Sequence, residues 1–239
     1  MSRTRPYDLA EGGRLGKHYT VLDFLGEGYE GEVYKVAEKT TEIVRAAKLF
    51  YKKNQLQKHP HVTYAKRLHQ LRTCPIVIQY HHQDQVRIKG QSVDFLVSDF
   101  VDGEVLSTYI ESFPQNRLQP FEALHLFYAI VKGVEQIHLL NEYHGDIHSN
   151  NIMVKRKGLK YSVYLIDLLH LGKSTKAKIQ EDVFDLIQLL HEIIGGTKYY
   201  QKMPKHIKDI IMGRRRQLIS QKFKNAAALR KFLENYESE

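Results

Sequence analysis

The pattern of hydrophobic and polar positions changes near residue 101. Up to that point, short apolar runs separated by turns are typical of β-strands, and one helical pattern stands among them. The predicted elements are three strands within 18–50, a helix from His59-Pro60-His61 to about Leu71, and β-rich runs at 76–80 and 93–100. We therefore predict a β-rich first part of the chain.

Helical spacing dominates the rest of the sequence. Pro120 suits the first turn of a helix, and apolar residues recur behind it at helical intervals. The other predicted elements are loops and short strands over 143–167, an apolar helix over 182–194 that Gly195-Gly196 ends, and two closing helices over 205–220 and 225–236. The 239 residues suffice for two small lobes, so we expect an α+β protein with domains 1–101 and 102–239.

The composition is that of an ordinary globular protein, with 42% hydrophobic and 26% charged residues. The single cysteine, Cys74, excludes an internal disulfide framework and a cysteine-rich zinc site. No apolar run approaches the roughly 20 residues that span a bilayer. The first residues also lack the apolar core of a secretory signal peptide. We expect a cytoplasmic protein without a membrane span, and specialised export stays open.

The net charge of +9 suits polyanionic partners such as nucleotides or nucleic acid. The run Gly213-Arg214-Arg215-Arg216 could contact nucleic acid, but we favour a solvated helix face. The pairs His59/His61 and His81/His82 lack a third ligand at a spacing that would suit a metal. Charge alone therefore leaves the partner undecided.

Two features of the first 50 residues indicate a phosphate-binding function. Gly26, Gly28 and Gly31 lie between two predicted strands, where glycines let backbone N–H groups approach phosphates closely. A strand follows them rather than a helix, which argues against a dinucleotide-binding fold. Lys48 lies in the next apolar strand, where its ammonium requires an anion unless the strand is at an edge.

Two further features lie in the second part of the chain. In the loop His144-Gly145-Asp146-Ile147-His148-Ser149-Asn150-Asn151, the aspartate can accept a proton from an attacking hydroxyl, and Asn151 can bind a divalent ion. Asp167 follows the apolar run 161–166. Taken alone, Asp167 is either an ordinary residue at a strand end or a metal ligand, and the first interpretation is favoured.

These segments, in this order over about residues 18–195, resemble the protein-kinase-like superfamily. The resemblance implies a bilobal fold that binds ATP together with Mg²⁺ or Mn²⁺. It assigns catalysis to Asp146 and Lys48, and metal binding to Asn151 and Asp167. It implies nucleotide binding by Gly26, Gly28, Gly31, Val33, Ala46, Lys48 and Met153, with a hinge from Asp99 to Val101 and Ser98 as its gatekeeper. It also implies that a buried Asp182 holds the catalytic loop.

The sequence departs from the family pattern at several points. No Asp or Glu occurs over 51–83, so the helix glutamate that usually partners the strand lysine is missing, and Tyr64 takes its position. Lys48 must then be oriented otherwise, by Asp167 or by phosphate directly. The triplet Asp167-Leu168-Leu169 lacks the usual glycine. Gly145 and His148 stand where many protein kinases have Arg and Lys. Asp182 follows Asp167 by only 15 residues, which leaves no room for a full activation segment.

Three functions therefore stay open at this point. We favour a compact Ser/Thr protein kinase that also phosphorylates itself and acts on a protein substrate. The form of the catalytic loop also resembles that of sugar, aminoglycoside and choline kinases. The missing helix glutamate is compatible with a nucleotide-binding pseudokinase scaffold, or with an activating protein partner that completes the site.

Overall fold

The structure is a computed structural model that describes residues 7–28, 30–51, 60–168 and 172–236. The chain forms two compact units. One comprises residues 1–72 and 78–101, and the other comprises residues 73–77 and 102–239. The first unit is rich in strands and the second in helices, as predicted. Residues 73–77 pack with the second unit although they precede residue 101. The division of the chain into domains 1–101 and 102–239 therefore stays a prediction.

The first unit is a six-stranded antiparallel sheet with one helix. Its elements are β1 (Arg14–Leu15), β2 (Tyr19–Glu27), β3 (Gly31–Glu38), β4 (Val44–Phe50), α1 (Pro60–Gln70), β5 (Tyr80–Ile88) and β6 (Gln91–Asp99). The strands are ordered β1-β2-β3-β4-β6-β5. The three strands and the helix predicted before residue 72 are present, although His59 lies outside the described residues.

The two faces of this sheet have different residues because side chains alternate along a strand. Tyr34, Ala47 and Val97 are paired across β3, β4 and β6 and are buried in the hydrophobic core of one face. The core residues are Leu15, Tyr19, Val21, Tyr34, Val36, Ala47, Leu49, Val93, Phe95 and Val97. The side chains of Val33, Ala46 and Lys48 lie on the opposite face and belong to the candidate site.

The second unit is mainly helical and contains a small three-stranded sheet. Its strands are β7 (Glu104–Val105), β8 (Ile152–Lys157) and β9 (Lys160–Leu165), in the order β7-β8-β9. Its helices are α2 (Leu106–Glu111), α3 (Pro120–Leu139), α4 (Lys176–Ile193), α5 (Thr197–Tyr200), α6 (Lys205–Ile211), α7 (Arg216–Lys222) and α8 (Ala226–Glu234). The buried faces of α3 and α4 form much of its core.

The structure corrects the prediction of a β-rich run at 76–80. Only Tyr80 of this run lies in a strand, β5, whereas Val77 makes a single parallel bridge to Leu165 of β9. The Leu165 N–H donates to the Ile76 carbonyl at 2.7 Å. The apolar run is thus divided between the two units, and its apolar character reflects burial rather than one continuous strand.

Two helix boundaries also differ from the prediction. α4 begins at Lys176, six residues before the predicted start, because the Thr175 side chain caps it by accepting from the Lys178 N–H at 3.3 Å. The helix predicted over 205–220 is broken after Ile211. Met212, Gly213 and Arg214 all have positive φ there, which ends one helix before α7 begins.

Candidate active site

The glycine-rich turn joins β2 to β3 and closes with a hydrogen bond from the Gly28 N–H to the Gly31 carbonyl at 2.9 Å. Gly31 pairs with Phe50 of β4, and a Cβ there would lie 1.9 Å from the Leu49 carbonyl oxygen. Gly31 is therefore required for strand packing. A Cβ at Gly26 or Gly28 would meet none of the described atoms within 4 Å, so packing among those residues does not explain either glycine.

A buried carboxylate fixes the chain directly after this turn. Glu32 is fully buried and accepts hydrogen bonds from the Tyr7 N–H at 3.0 Å, the Tyr51 hydroxyl at 3.4 Å and the Tyr34 hydroxyl. Burial and the charge of Glu32 raise the pKa values of Tyr7 and Tyr51 to about 12. The start of β3 is thus held by groups that stay protonated at neutral pH.

Three of the predicted nucleotide-binding side chains lie on the sheet face opposite the hydrophobic core. Val33 of β3 pairs directly with Lys48 of β4. Ala46, two residues before Lys48, shares that face and pairs with Ser98 of β6. Ser98 is buried. The register thus brings together Val33, Ala46 and Lys48 and places the predicted gatekeeper beside them, whereas Met153 belongs to β8 in the second unit.

The contacts of Lys48 with described residues include a carboxylate and two aromatic rings. Its side chain is only 10% exposed, and its Nζ lies 2.7 Å from Glu30 Oε2. The same Nζ lies 5.0 Å from the ring centroid of Tyr64 and 5.6 Å from that of Phe50. Tyr64 of α1, which the sequence places at the position of the missing glutamate, therefore does face the lysine, through its ring.

The predicted hinge residue Asp99 uses its side chain within the first unit. Its carboxylate lies 3.2 Å from Arg45 Nη1 and 2.5 Å from His81 Nε2, and it accepts from the Gln79 N–H at 3.3 Å. The Asp99 N–H donates to the Gln79 carbonyl at 3.0 Å. A contact of Asp99 with a nucleotide would therefore involve its carbonyl. The first compact unit ends at Val101, the other predicted hinge residue.

The predicted catalytic loop, in the second unit, is held by a buried aspartate of α4. Asp182 is fully buried, and its carboxylate accepts from the His144 N–H at 2.6 Å and the Gly145 N–H at 2.8 Å. His138 Nε2 lies 3.1 Å from the same carboxylate. The prediction that Asp182 holds the loop is confirmed by these bonds. Gly145 has φ +88°, a conformation that favours glycine over a residue with a side chain.

His144 links this loop to the segment that precedes Asp167. Its Nδ1 accepts from the Asp146 N–H at 3.2 Å, and its Nε2 faces the Ile166 carbonyl at 3.1 Å. Because an amide only donates and a carbonyl only accepts, the ring is neutral and carries its proton on Nε2. A buried, neutral imidazole thus bridges the backbones that carry Asp146 and Asp167.

Asp146 and Asn151 are in direct contact. The Asn151 amide Nδ2 donates to the Asp146 carbonyl at 3.0 Å and to Asp146 Oδ2 at 2.9 Å. His148 Nε2 lies 3.4 Å from the same Oδ2. Both contacts fix the Asp146 carboxylate through Oδ2.

Asn151 and Asp167 are brought together by the backbone. The Ile166 N–H donates to the Asn151 carbonyl at 3.0 Å, and Asp167 is the next residue. Asp167 has φ +54°, a strained conformation for a residue with a side chain. Leu168 is buried behind it, and Leu169, the third residue of the predicted triplet, lies outside the described residues. Side-chain oxygens from Asn151 and Asp167 are hard ligands that suit Mg²⁺ or Mn²⁺.

The sequence analysis did not single out two of the residues near the site. Glu30 contacts Lys48, and the absence of acidic residues over 51–83 was the signal that the carboxylate had to come from elsewhere. Asp185 of α4 lies near Asp182 and Asp146, and burial together with these charges raises its pKa to about 6. No spacing in the sequence distinguishes Asp185 from an ordinary helix residue.

The basic run after α6 is partly engaged inside the second unit. Arg216 contacts the Glu181 carboxylate at 2.6 Å, and Arg214 donates to Gln188 Oε1 at 3.1 Å. These contacts fit a solvated helix face better than a nucleic-acid site. Among the helices in the described part of the chain, none is both long and apolar enough to cross a membrane.

Comparison with known proteins identifies the family. The model of the protein kinase domain matches residues 19–220, so the chain belongs to the protein kinase domain family. Cell division control protein 2 homolog D of Antirrhinum majus is 26% identical over 187 residues, which cover 76% of this chain and 60% of that protein. Cyclin-dependent kinase 12 of Caenorhabditis elegans is 28% identical over 155 residues, covering 59% of this chain and 20% of that protein. The chain thus matches only part of these relatives' lengths.

Solved structures support the fold. The PknI kinase domain of Mycobacterium tuberculosis superposes with a TM-score of 0.69, covering 95% of this chain and 98% of that one at 16% identity. This likeness confirms the predicted bilobal, α+β, protein-kinase-like fold. The residue assignments within the site stay predictions.

Proposed function

We propose that this protein transfers the γ-phosphoryl group of ATP to a Ser or Thr hydroxyl of a protein. The observation that carries the proposal is the arrangement around Asp146. Its carboxylate is oriented by Asn151, within a loop whose backbone a buried Asp182 holds. A carboxylate held in this way can orient an attacking hydroxyl and accept its proton.

Binding of ATP is proposed for the sheet face of the first unit, with Met153 from the second. Val33 and Ala46 would contact adenine, the backbone from Asp99 to Val101 would form the hinge, and the N–H groups of the glycine-rich turn would meet the phosphates. Lys48 supplies the positive charge. Asp146 takes the proton of the hydroxyl while the lysine and the turn orient the phosphates.

A divalent metal is proposed between Asn151 and Asp167. No group of three or more His, Cys, Asp or Glu side chains that could hold a metal occurs in the described parts of the chain. This fits Mg²⁺, which commonly takes one or two protein oxygens and completes its shell with phosphates and water. When bound, the ion would neutralise charge that develops on the phosphates.

Membership of the protein kinase domain family supports a protein as the acceptor of the phosphoryl group. We also propose that the chain phosphorylates itself. A small-molecule acceptor is the second candidate, because α4 begins at Lys176, only nine residues after Asp167. That interval has no room for a full segment that docks a peptide. A pseudokinase scaffold is the third, and the retained Asn151 and Asp167 argue against it.

The test is label transfer from γ-labelled ATP in the presence of Mg²⁺ or Mn²⁺. We would compare the unchanged protein, Asp146→Asn, and the matched control Asp23→Asn, which alters an exposed carboxylate of β2. We expect label on the protein or on a generic protein substrate, a loss of at least about a hundredfold in Asp146→Asn, and no loss in the control. ATP binding should survive in Asp146→Asn.

The other outcomes separate the candidates. If ATP is consumed only when a sugar, aminoglycoside or choline is added, the protein is a small-molecule kinase. If ATP binds but no phosphate is transferred to any acceptor, the scaffold interpretation holds. Full activity in Asp146→Asn would show that this residue is not the catalytic carboxylate.

A further inference from the structure

The glycine-rich turn places a carboxylate on the strand lysine. Glu30 Oε2 lies 2.7 Å from Lys48 Nζ, and the glutamate belongs to the turn itself, directly before Gly31. The Lys48 side chain is 10% exposed, whereas that of Glu30 is 44% exposed. The lysine is therefore fixed in the sheet, and the glutamate reaches it from a loop open to solvent.

We propose that Glu30 is the positioning residue that orients Lys48 for catalysis, in place of a glutamate from helix α1. The proposal rests on the function proposed above, because Lys48 is placed there on the phosphates of ATP. It assigns to Glu30 a task for which Asp167, phosphate itself and an activating protein partner were the alternatives.

Helix α1 cannot supply that carboxylate. Its residues from Pro60 to Gln70 contain no acidic side chain, and they include the cations Lys66 and Arg67. The residue that does face the lysine is Tyr64, whose ring centroid lies 5.0 Å from Nζ. An aromatic face attracts an ammonium, but it does not fix the direction of its N–H bonds as a carboxylate oxygen does.

The chemistry of the ammonium allows Glu30 and phosphate to be bound together. A lysine has three N–H donors, so a bond to Glu30 and a bond to a phosphate oxygen do not exclude each other. Glu30 belongs to the turn proposed to contact those phosphates. The same turn would thus orient the lysine and bind the phosphates.

The contribution of this pair to stability should be small. Because Glu30 is nearly half exposed, water and salt screen its interaction with Lys48. Loss of the carboxylate should therefore change the reaction much more than the melting temperature. This difference separates a positioning role from a merely structural one.

The experiment compares Glu30→Gln with Glu11→Gln in the full chain. Glu11 is an exposed carboxylate of the same unit that lies before β1 and outside the glycine-rich turn, so the chemical change is the same. We expect kcat/KM for ATP-dependent phosphorylation to fall about a hundredfold in Glu30→Gln and to stay unchanged in Glu11→Gln. The melting temperature of both should stay within about 2 °C of the unchanged protein.

A second variant tests the role by moving the carboxylate to the helix. Tyr64→Glu, introduced into Glu30→Gln, puts an acidic group on α1 facing Lys48. We expect it to recover roughly tenfold of the lost kcat/KM, because the lysine regains an oriented acceptor. Tyr64→Gln in the same background has similar size without the charge and should recover nothing.

Each other result overturns the inference. If Glu30→Gln matches the unchanged protein, or gains activity or ATP affinity, Glu30 does not orient the lysine for catalysis. If the unchanged protein transfers no phosphate, the proposed function fails, and calorimetric binding of Mg²⁺·ATP then decides the role of Glu30. Weaker binding in Glu30→Gln that Tyr64→Glu restores would support the inference, and equal binding or no binding at all would refute it.

Discussion

At the scale of single residues, the site depends on which atoms of a side chain are already used. Oδ2 of Asp146 accepts from the Asn151 amide, and His148 Nε2 lies 3.4 Å from the same oxygen. His148 Nδ1 accepts from the Asn150 N–H at 3.3 Å, which directs the other ring nitrogen towards Asp146. The imidazole therefore supports the orientation of the carboxylate, as a weaker contact than that of Asn151.

We predict that His148→Ala lowers kcat about fivefold and leaves KM for ATP unchanged. The loss of one modest polar contact to Oδ2 corresponds to about 1 kcal/mol. The measurement is steady-state phosphorylation at saturating ATP, with His69→Ala, which alters an exposed side chain of α1, as control. An unchanged kcat in His148→Ala would contradict the role of this contact.

A second residue-scale prediction concerns Asp185, whose pKa rises from 3.8 to about 6 because it is buried beside Asp182 and Glu181. The folded protein keeps the Asp185 proton between about pH 4 and 6, whereas the unfolded chain has released it. Stability therefore falls as the pH rises through that window, and the loss is complete above it. Two pKa units correspond to about 2.7 kcal/mol. Partial exposure of the carboxylate reduces this to about 1 kcal/mol.

Asp185→Asn removes this cost. We expect its melting temperature to exceed that of the unchanged protein by about 3 °C at pH 7.5, and the difference to shrink at pH 5. Thermal unfolding at the two pH values checks both parts. A difference that is the same at both values would mean that the proton on Asp185 is not its origin.

At the scale of elements, α3 packs closely on residues 73–77 because it contains a glycine at the contact. A Cβ at Gly133 would lie 2.2 Å from Ile76 Cδ1 and 2.8 Å from its Cβ. The same segment bonds to β9 through the Ile76 carbonyl. This contact explains why an apolar run that resembles a strand joins a helical unit instead.

We therefore predict that Gly133→Ala destabilises the protein, although alanine favours an isolated helix by about 1 kcal/mol. Overpacking against Ile76 should cost about 2 kcal/mol, for a net loss of about 1 kcal/mol. Chemical denaturation measures the change in the free energy of unfolding. Lys132→Ala, at the exposed neighbouring position of α3, is the control and should change it by less than about 0.5 kcal/mol. If Gly133→Ala stabilised the protein instead, the Ile76 side chain would have moved away from the new methyl group without a cost in free energy.

At the scale of the whole molecule, a ligand that binds only the folded chain stabilises all of it. We predict that Mg²⁺·ATP at about one hundred times its Kd adds about 2.7 kcal/mol to the free energy of unfolding. This corresponds to a rise of about 5–10 °C in melting temperature. A chelator should remove most of the rise, and Asp167→Asn should do the same without chelator. An equal rise with and without metal would contradict the proposed role of Asn151 and Asp167.

The sequence predicted most elements near their observed bounds, and the fold class with them. Strands β2 to β4, helix α1 and helix α3 follow from local periodicity and from Pro120, which depend on a few consecutive residues. The predictions were wrong at three places. The Thr175 cap starts α4 earlier, three consecutive residues with positive φ break the helix after Ile211, and packing divides the run at 76–80.

The sequence by itself determined the chemical groups of the site, because the motifs around Gly26–Gly31, Lys48 and Asp146–Asn151 are each a short local pattern. Only the tertiary structure decided how those groups are paired. It brought Glu30 to Lys48, turned the ring of Tyr64 towards the same ammonium, and bound Oδ2 of Asp146 to the Asn151 amide. Periodicity reports the conformation of a segment, whereas these pairings depend on the register of strands and on side chains far apart in the chain.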